Sequence, residues 1–174
     1  MYNVVLLVEQ ELSEPDTQRV VDLYEGLTEQ VRYHLTIPCE DAAAQVESSL
    51  ASLAGTKLYG MAAERYAAGS AQELAAAQRQ TQQSIDSQAR GSLDRSIERL
   101  EALRCQASGE ITHDRPTDAL IEQVKRVSAQ EVIVLTRPHV IAEFFHVDWS
   151  AQARRHLGIP VIHLLEQQQN TPTK

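Results

Sequence analysis

The sequence predicts an α/β domain built on a largely parallel sheet. Three observations carry that expectation. Short apolar, β-branched runs recur at both ends of the chain, as strands buried on both faces require. Segments with helical periodicity lie between them. Strand and helix alternate in order, which favours parallel pairing through right-handed crossovers. No internal repeat is evident.

Residues 3–8, Asn3-Val4-Val5-Leu6-Leu7-Val8, form the first strand. Ser13 then caps a helix, Pro15 suits its first turn, and Glu14 and Asp16 complement the dipole there. Val20, Val21, Leu23, Tyr24 and Leu27 recur at helical spacing and carry that helix to about residue 30. A second strand covers Tyr33–Ile37, and Pro38 ends it. Residues 41–104 contain no strand pattern and are rich in the helix formers Ala, Gln, Glu and Arg. Gly55, Gly60, Gly69 and Gly91 divide them into several helices. The last of these sets Leu93, Ile97, Leu100 and Leu103 on one face, with Glu98 and Glu101 off it. The stretch 71–90 is much more polar and reads as a solvated or a flexible helix.

A weaker strand covers Gln106–Ile111. The segment His113-Asp114-Arg115-Pro116-Thr117-Asp118 opens a helix over about 117–127, with Ala119, Leu120, Ile121 and Val124 inward. The clearest strand is Glu131–Thr136. A helix over about 146–157 ends at Gly158, and Pro160–Leu165 is the closing strand. Residues 1–165 thus read as one domain with an insertion-like helical segment at 41–104. The polar residues 166–174 read as a flexible tail.

Composition bounds the function. The chain has 174 residues, 43% hydrophobic and 23% charged, enough for one ordinary domain with a core. Its 24 acidic and 16 basic residues leave a net charge of −8. A field of that sign repels phosphate backbones, and 5% aromatic content is poor material for base stacking, so no nucleic-acid partner is expected. Met1–Val8 lacks the basic region and cleavage site of a secretory signal. No apolar run approaches the roughly 20 residues of a membrane span, so no membrane partner is expected either. Cys39 and Cys105 match no metal or redox spacing and read as thiols in a reducing cytoplasm. The richness in Ala, Arg and Gln is an association with high-GC bacteria rather than a physical argument.

The last third carries a family resemblance. A buried strand ends at Thr136-Arg137, a helix-bearing connection runs from Pro138 to Ile159, and Pro160-Val161-Ile162 opens the closing strand. This resembles the end of universal stress proteins. There, strand four ends in a Gly-Ser-Arg-Gly-like turn, followed by a glycine-rich loop, a helix and a Cys-Pro-Val-like entry to strand five. Pro116-Thr117-Asp118-Ala119-Leu120-Ile121 is similar to the segment where a helix follows strand three. The resemblance spans about 1–40 and 105–165 and leaves 41–104 unexplained. It implies a three-layer α/β/α fold with a five-stranded sheet of order 3-2-1-4-5, enlarged between strands two and three.

The departures from the family pattern concern its nucleotide. Nucleotide-binding members carry Gly-x2-Gly-x9-Gly-Ser/Thr after strand four, where backbone N–H groups approach the phosphates. Alignment on Arg137 puts Pro138, Ile141 and Asp148-Trp149 in those places. Pro138 has no N–H, Ile141 resists positive φ, and Asp148 adds a negative charge. Glu9 stands where the family commonly has an Asp after strand one. No cofactor is therefore expected, and ATP binding in the family manner is not.

With that strand order, the switch point lies between strands one and four, and ligands of open α/β sheets settle outside the strand ends there. The candidate ligand-binding residues are Glu9, Pro38, Thr136, Arg137, His139, His146, Asp148 and Trp149. Each also has a structural reading. Trp149, with Phe144 and Phe145, can pack a helix on the sheet, and Asp148 can cap it. Arg137 can pair with Glu9 or Glu143. No spacing demands a metal. Gly-x-Gly-x-x-Gly, Walker, Gly-x-Ser-x-Gly, His-x-Gly-His and Ser-Gly-Gly loops are all missing.

Two functions remain. The first is a non-enzymatic universal-stress-protein-like module acting through homodimerisation and binding of a protein partner or small ligand. Its pairing edge would be the apolar last strand, Val161–Leu165. The alternative is a small-molecule binder or enzyme using the Glu9, Arg137, His139 and His146 crevice. There Arg137 would hold an anion and a histidine would move a proton.

Overall fold

The computed structural model describes residues 1–39, 71–136 and 157–167. Within them lie five strands: β1 (Tyr2–Val8), β2 (Val31–Pro38), β3 (Gln106–Thr112), β4 (Glu131–Thr136) and β5 (Val161–Leu165). They form one parallel sheet of order β3-β2-β1-β4-β5. This is the order the family resemblance implies. The helices are α1 (Glu14–Asp22), α2 (Ala71–Ala102) and α3 (Pro116–Val127).

The chain divides into two compact units, residues 1–38 with 89–174, and residues 39–88. The first holds the sheet, α1, α3 and the last part of α2. In the second, 71–88 is helical, with Arg79 Nε donating to the Ala75 carbonyl at 3.1 Å and Gln82 Nε2 to Asp86 Oδ1 at 2.9 Å.

The central strand explains the layering. β1 is paired on both sides, Leu6 standing opposite Leu35 and Ile133. Its side chains alternate between two cores. Val4, Leu6 and Val8 pack with Leu12, Val20, Tyr33, Leu35, Leu93, Leu100 and Ile133. Val5 and Leu7 pack with Leu120, Val124, Val132, Val134 and Val161. Each such fully buried side chain contributes roughly 1.5–3 kcal/mol.

Three elements differ from expectation. α1 begins as predicted, with Ser13 Oγ accepting from the Asp16 N–H at 3.2 Å, but it ends at Asp22. Gly26 weakens a continuation. Tyr24 instead turns onto Tyr2 and Tyr33, with ring centroids 5.7 and 6.1 Å away, and donates to Glu131 Oε2 at 2.7 Å. Leu23 and Leu27 are left exposed.

Gly91 does not interrupt α2, which is continuous over 32 residues. A helical glycine costs about 1 kcal/mol. Burial of Leu93 and Leu100 beside it outweighs that. The fourth expected inward residue, Leu103, lies past the helix end and is exposed. The chain reverses there at Arg104, whose φ is 61°.

α3 opens on Pro116 and ends at Ser128 with φ 50°. Ile121 is only half-buried, and Gln123 is buried in the helix's inward face. The helix expected over 146–157 lies outside the described residues save Leu157. Gly158 has φ 67°, as a helix terminator needs. No helix among the described residues is long and apolar enough to cross a membrane. Neither cysteine forms a disulfide.

Candidate functional site

The topology brings the ends of β2, β1 and β4 side by side at one edge of the sheet. Glu9 follows β1, Pro38 closes β2 and Thr136 closes β4. Because Val8 stands opposite Leu135, the register carries Glu9 toward Thr136. These three predicted residues are therefore brought to neighbouring strand ends. Arg137, His139, His146, Asp148 and Trp149 lie outside the described residues, as do Phe144 and Phe145.

The Thr136 hydroxyl is engaged with His163 of β5, Oγ1 to Nε2 at 2.9 Å. Burial lowers the His163 pKa, so the ring is neutral at pH 7. Thr136 is thus tied to the neighbouring strand, and its carbonyl accepts from the Glu166 N–H at 2.9 Å.

A polar lattice that the sequence did not reveal surrounds this edge. Gln10, just after β1, donates through Nε2 to Glu166 Oε2 at 2.6 Å. Since β4 lies between β1 and β5, this bond spans the end of β4. Glu166 is only 9% exposed, so a buried carboxyl group sits over the end of β4. Next to it, the Gln167 N–H donates to Asp16 Oδ1 at 3.1 Å, and Arg19 donates to the Leu165 carbonyl at 3.0 Å. The first residues after β5 are thereby held onto α1, while 168–174 lie outside the described residues.

Glu11, two residues after Glu9, is held by two arginines of α2. Arg95 Nε donates to its Oε2 at 2.6 Å, and Arg99 binds Oε1. Burial alone would raise the Glu11 pKa, but the hydrogen bonds and charges of the two guanidiniums overcome it and hold the carboxyl below its ordinary range. Arg99 also donates to the Leu12 carbonyl at 2.6 Å. Ser96, fully buried, receives the Leu12 N–H at 2.9 Å and donates to the Ser92 carbonyl at 2.7 Å. The loop after β1 is thus clamped to α2 by three polar side chains. Arg95, Ser96 and Arg99 at helical spacing were the available signal, since a polar residue interrupts the apolar face there.

This sheet order, with crossover helices on both faces, defines the fold of the universal stress proteins. Solved structures bear this out. The chain is similar over its whole length to a universal stress protein family protein from Arabidopsis thaliana solved with AMP bound, at TM-score 0.52 and 12% identity, covering 98% of that chain. It is similar to a universal stress protein from Archaeoglobus fulgidus at TM-score 0.50 and 11% identity, over 94% of this chain and 93% of that one. No family model matches the chain, and no curated protein matches it in sequence.

Proposed function

We propose that the chain is a universal-stress-protein-like module of the cytoplasm that works by self-association and by binding a protein partner or small ligand, and that it does not hold ATP in the manner of nucleotide-binding members. The observation that carries the second half is the Gln10–Glu166 bond. It lays a hydrogen-bonded pair of side chains, one of them buried, across the β4 end, in the space a phosphate-bearing ligand would need. Pro138, Ile141 and Asp148 support it from sequence: Pro138 offers no N–H, Ile141 resists the positive φ a glycine would take, and Asp148 brings a negative charge. Titration calorimetry with ATP is expected to show no heat of binding below about millimolar, the weak end of specific affinities. Sub-millimolar binding, or nucleotide copurifying with the protein, refutes this.

Self-association rests on β5. Among the described residues it is the outermost strand on its side of the sheet, with Leu165 40% exposed. An open apolar edge is a ready template for a second strand. Sedimentation velocity at tens of micromolar, roughly where weak dimers persist, is expected to show a homodimer. A monomer alone at that concentration counts against it.

The C-terminal ends of the strands support a second reading, a small-molecule binder or enzyme in which Arg137, His139 and His146 join Glu9. A ligand that stabilises the wild-type chain in a thermal-shift screen, and loses its effect in the Arg137→Ala/His139→Ala double variant, would favour that reading.

A further inference from the structure

On the sheet face that packs α3, β2 and β3 present polar side chains rather than a core. Arg32 donates to Gln106 Oε1 through Nε and Nη2 at 2.9 and 2.7 Å, and Arg126 of α3 pairs with Glu110. Among them lies a chain of three residues drawn from three strands. His34 and Ser108 are register partners on adjacent strands. His34 Nδ1 stands 3.1 Å from Ser108 Oγ, and His34 Nε2 stands 3.2 Å from Asn3 Oδ1.

The proton positions follow from one end of this chain. Asn3 Nδ2 lies 3.0 Å from the Val127 carbonyl, which can only accept. The amide nitrogen must therefore face Val127, and the amide oxygen must face His34. That oxygen also only accepts, so His34 Nε2 carries the ring proton. Nδ1 is then bare and accepts the Ser108 hydroxyl. A serine hydroxyl aimed at an unprotonated imidazole nitrogen, whose other nitrogen is held by a fixed acceptor, is the arrangement of nucleophile, base and orienting group. Ser108 is exposed, on the outermost described strand of its side, so its oxygen is open to approach.

We propose that Ser108 is a nucleophile that takes the acyl group of small activated carboxylic esters, with His34 as its general base and Asn3 as the residue that positions the base. Ser108 Oγ attacks the ester carbonyl carbon while its proton passes to His34 Nδ1. The bond from carbonyl carbon to leaving oxygen breaks, and the leaving group departs as the alcohol with that proton. The products are an ester on Ser108, a free alcohol and a neutral imidazole. Water can then repeat the route and release the carboxylic acid. Burial, and then the charges of Arg32 and Arg126, lower the His34 pKa, which keeps the base form populated at pH 7. The charged groups around it are Arg32 on β2, Glu110 on β3 and Arg126 on α3; Asn3 on β1 is neutral. This activity lies away from the strand ends and goes beyond the binding role proposed above, so either can fail alone.

The test is acetylation of the full chain by p-nitrophenyl acetate, followed by release of p-nitrophenol and by peptide mass mapping. The expected result is one acetyl group on Ser108, formed at a rate that rises with pH through the imidazole titration and then levels. Ser108→Ala should abolish that adduct. His34→Gln should slow it by about 100-fold, the low end of general-base effects. Asn3→Ala should slow it, and Asn3→Asp should restore it, since a carboxylate holds the same tautomer; a packing role alone would not produce that rescue. Circular dichroism checks that each variant is folded. Acetylation confined to amines, or equal rates at Ser108 with and without His34, overturns the proposal. So does a wild-type rate that follows hydroxide with no plateau, a readout that needs no variant.

Discussion

Replacing Gly109 by alanine tests the packing of β3 against the rest of the sheet. A Cβ at this position would stand 2.6 Å from Leu93 Cδ1, 2.9 Å from the Leu35 carbonyl oxygen and 3.0 Å from Leu35 Cβ. The first obstacle is the tip of a side chain and can turn away. The second is backbone of β2, held between β1 and β3, and cannot. β3 must then shift at the sheet edge, and overpacking of this kind costs roughly 1–3 kcal/mol. Alanine recovers about 0.5–1 kcal/mol of the entropy that glycine loses in a strand. The net loss is about 1–2 kcal/mol, or a fall of about 3–6 °C in Tm for a chain of this length. Urea unfolding followed by circular dichroism measures the first figure and calorimetry the second. A double-mutant cycle with Leu93→Ala isolates the cause, because with the β2 backbone as the obstacle, removing the Leu93 tip should leave most of the cost of Gly109→Ala in place. A Gly109→Ala variant as stable as wild type, or a cost that vanishes in the Leu93→Ala background, would refute the reasoning.

Glu11→Gln should destabilise the fold by about 1 kcal/mol at pH 7, a figure discounted because Arg95 is half exposed. Since the folded carboxyl has the lower pKa, its contribution is present above its ordinary 4.5 and is lost as pH falls through the folded value. The Tm gap between wild type and variant should therefore close in acid, below 4.5, and a gap unchanged by acid would contradict the pairing. At the buried Thr36–Gln123 contact, where Gln123 also donates to the Leu35 carbonyl at 3.4 Å, Gln123→Leu should cost about 1–3 kcal/mol by stranding the Thr36 hydroxyl. Adding Thr36→Val should recover part of that loss, and chemical denaturation of the three variants would show if it does not.

The elements legible from sequence were those whose side chains report their surroundings. β1 and β4 are buried on both faces, and their unbroken apolar runs say so. β3 read weakly because it lies at the edge, with Ala107, Gly109 and Ile111 toward the core and Gln106, Ser108 and Glu110 on the face that packs α3. Gly91 misled because local propensity says nothing of the tertiary burial of Leu93 and Leu100. At the candidate site, the strand ends followed from topology alone, which is why Glu9, Pro38 and Thr136 could be placed together. The Gln10–Glu166 bond could not be, since it joins residues separated by 156 positions. Likewise the pairing of Glu11 with Arg95 and Arg99 joins residues 84 and 88 positions apart.

The strand at the centre of the sheet is the first one the ribosome makes. β1 finds β2 after some thirty residues, but its other neighbour, β4, ends only at Thr136. Until β4 is complete, one edge of the Val4–Val8 run lacks its partner strand. An apolar edge left open that long invites wrong partners, including other nascent chains. The fold therefore leaves its earliest strand half sheltered for the longest interval, and chaperone dependence during translation should track that interval.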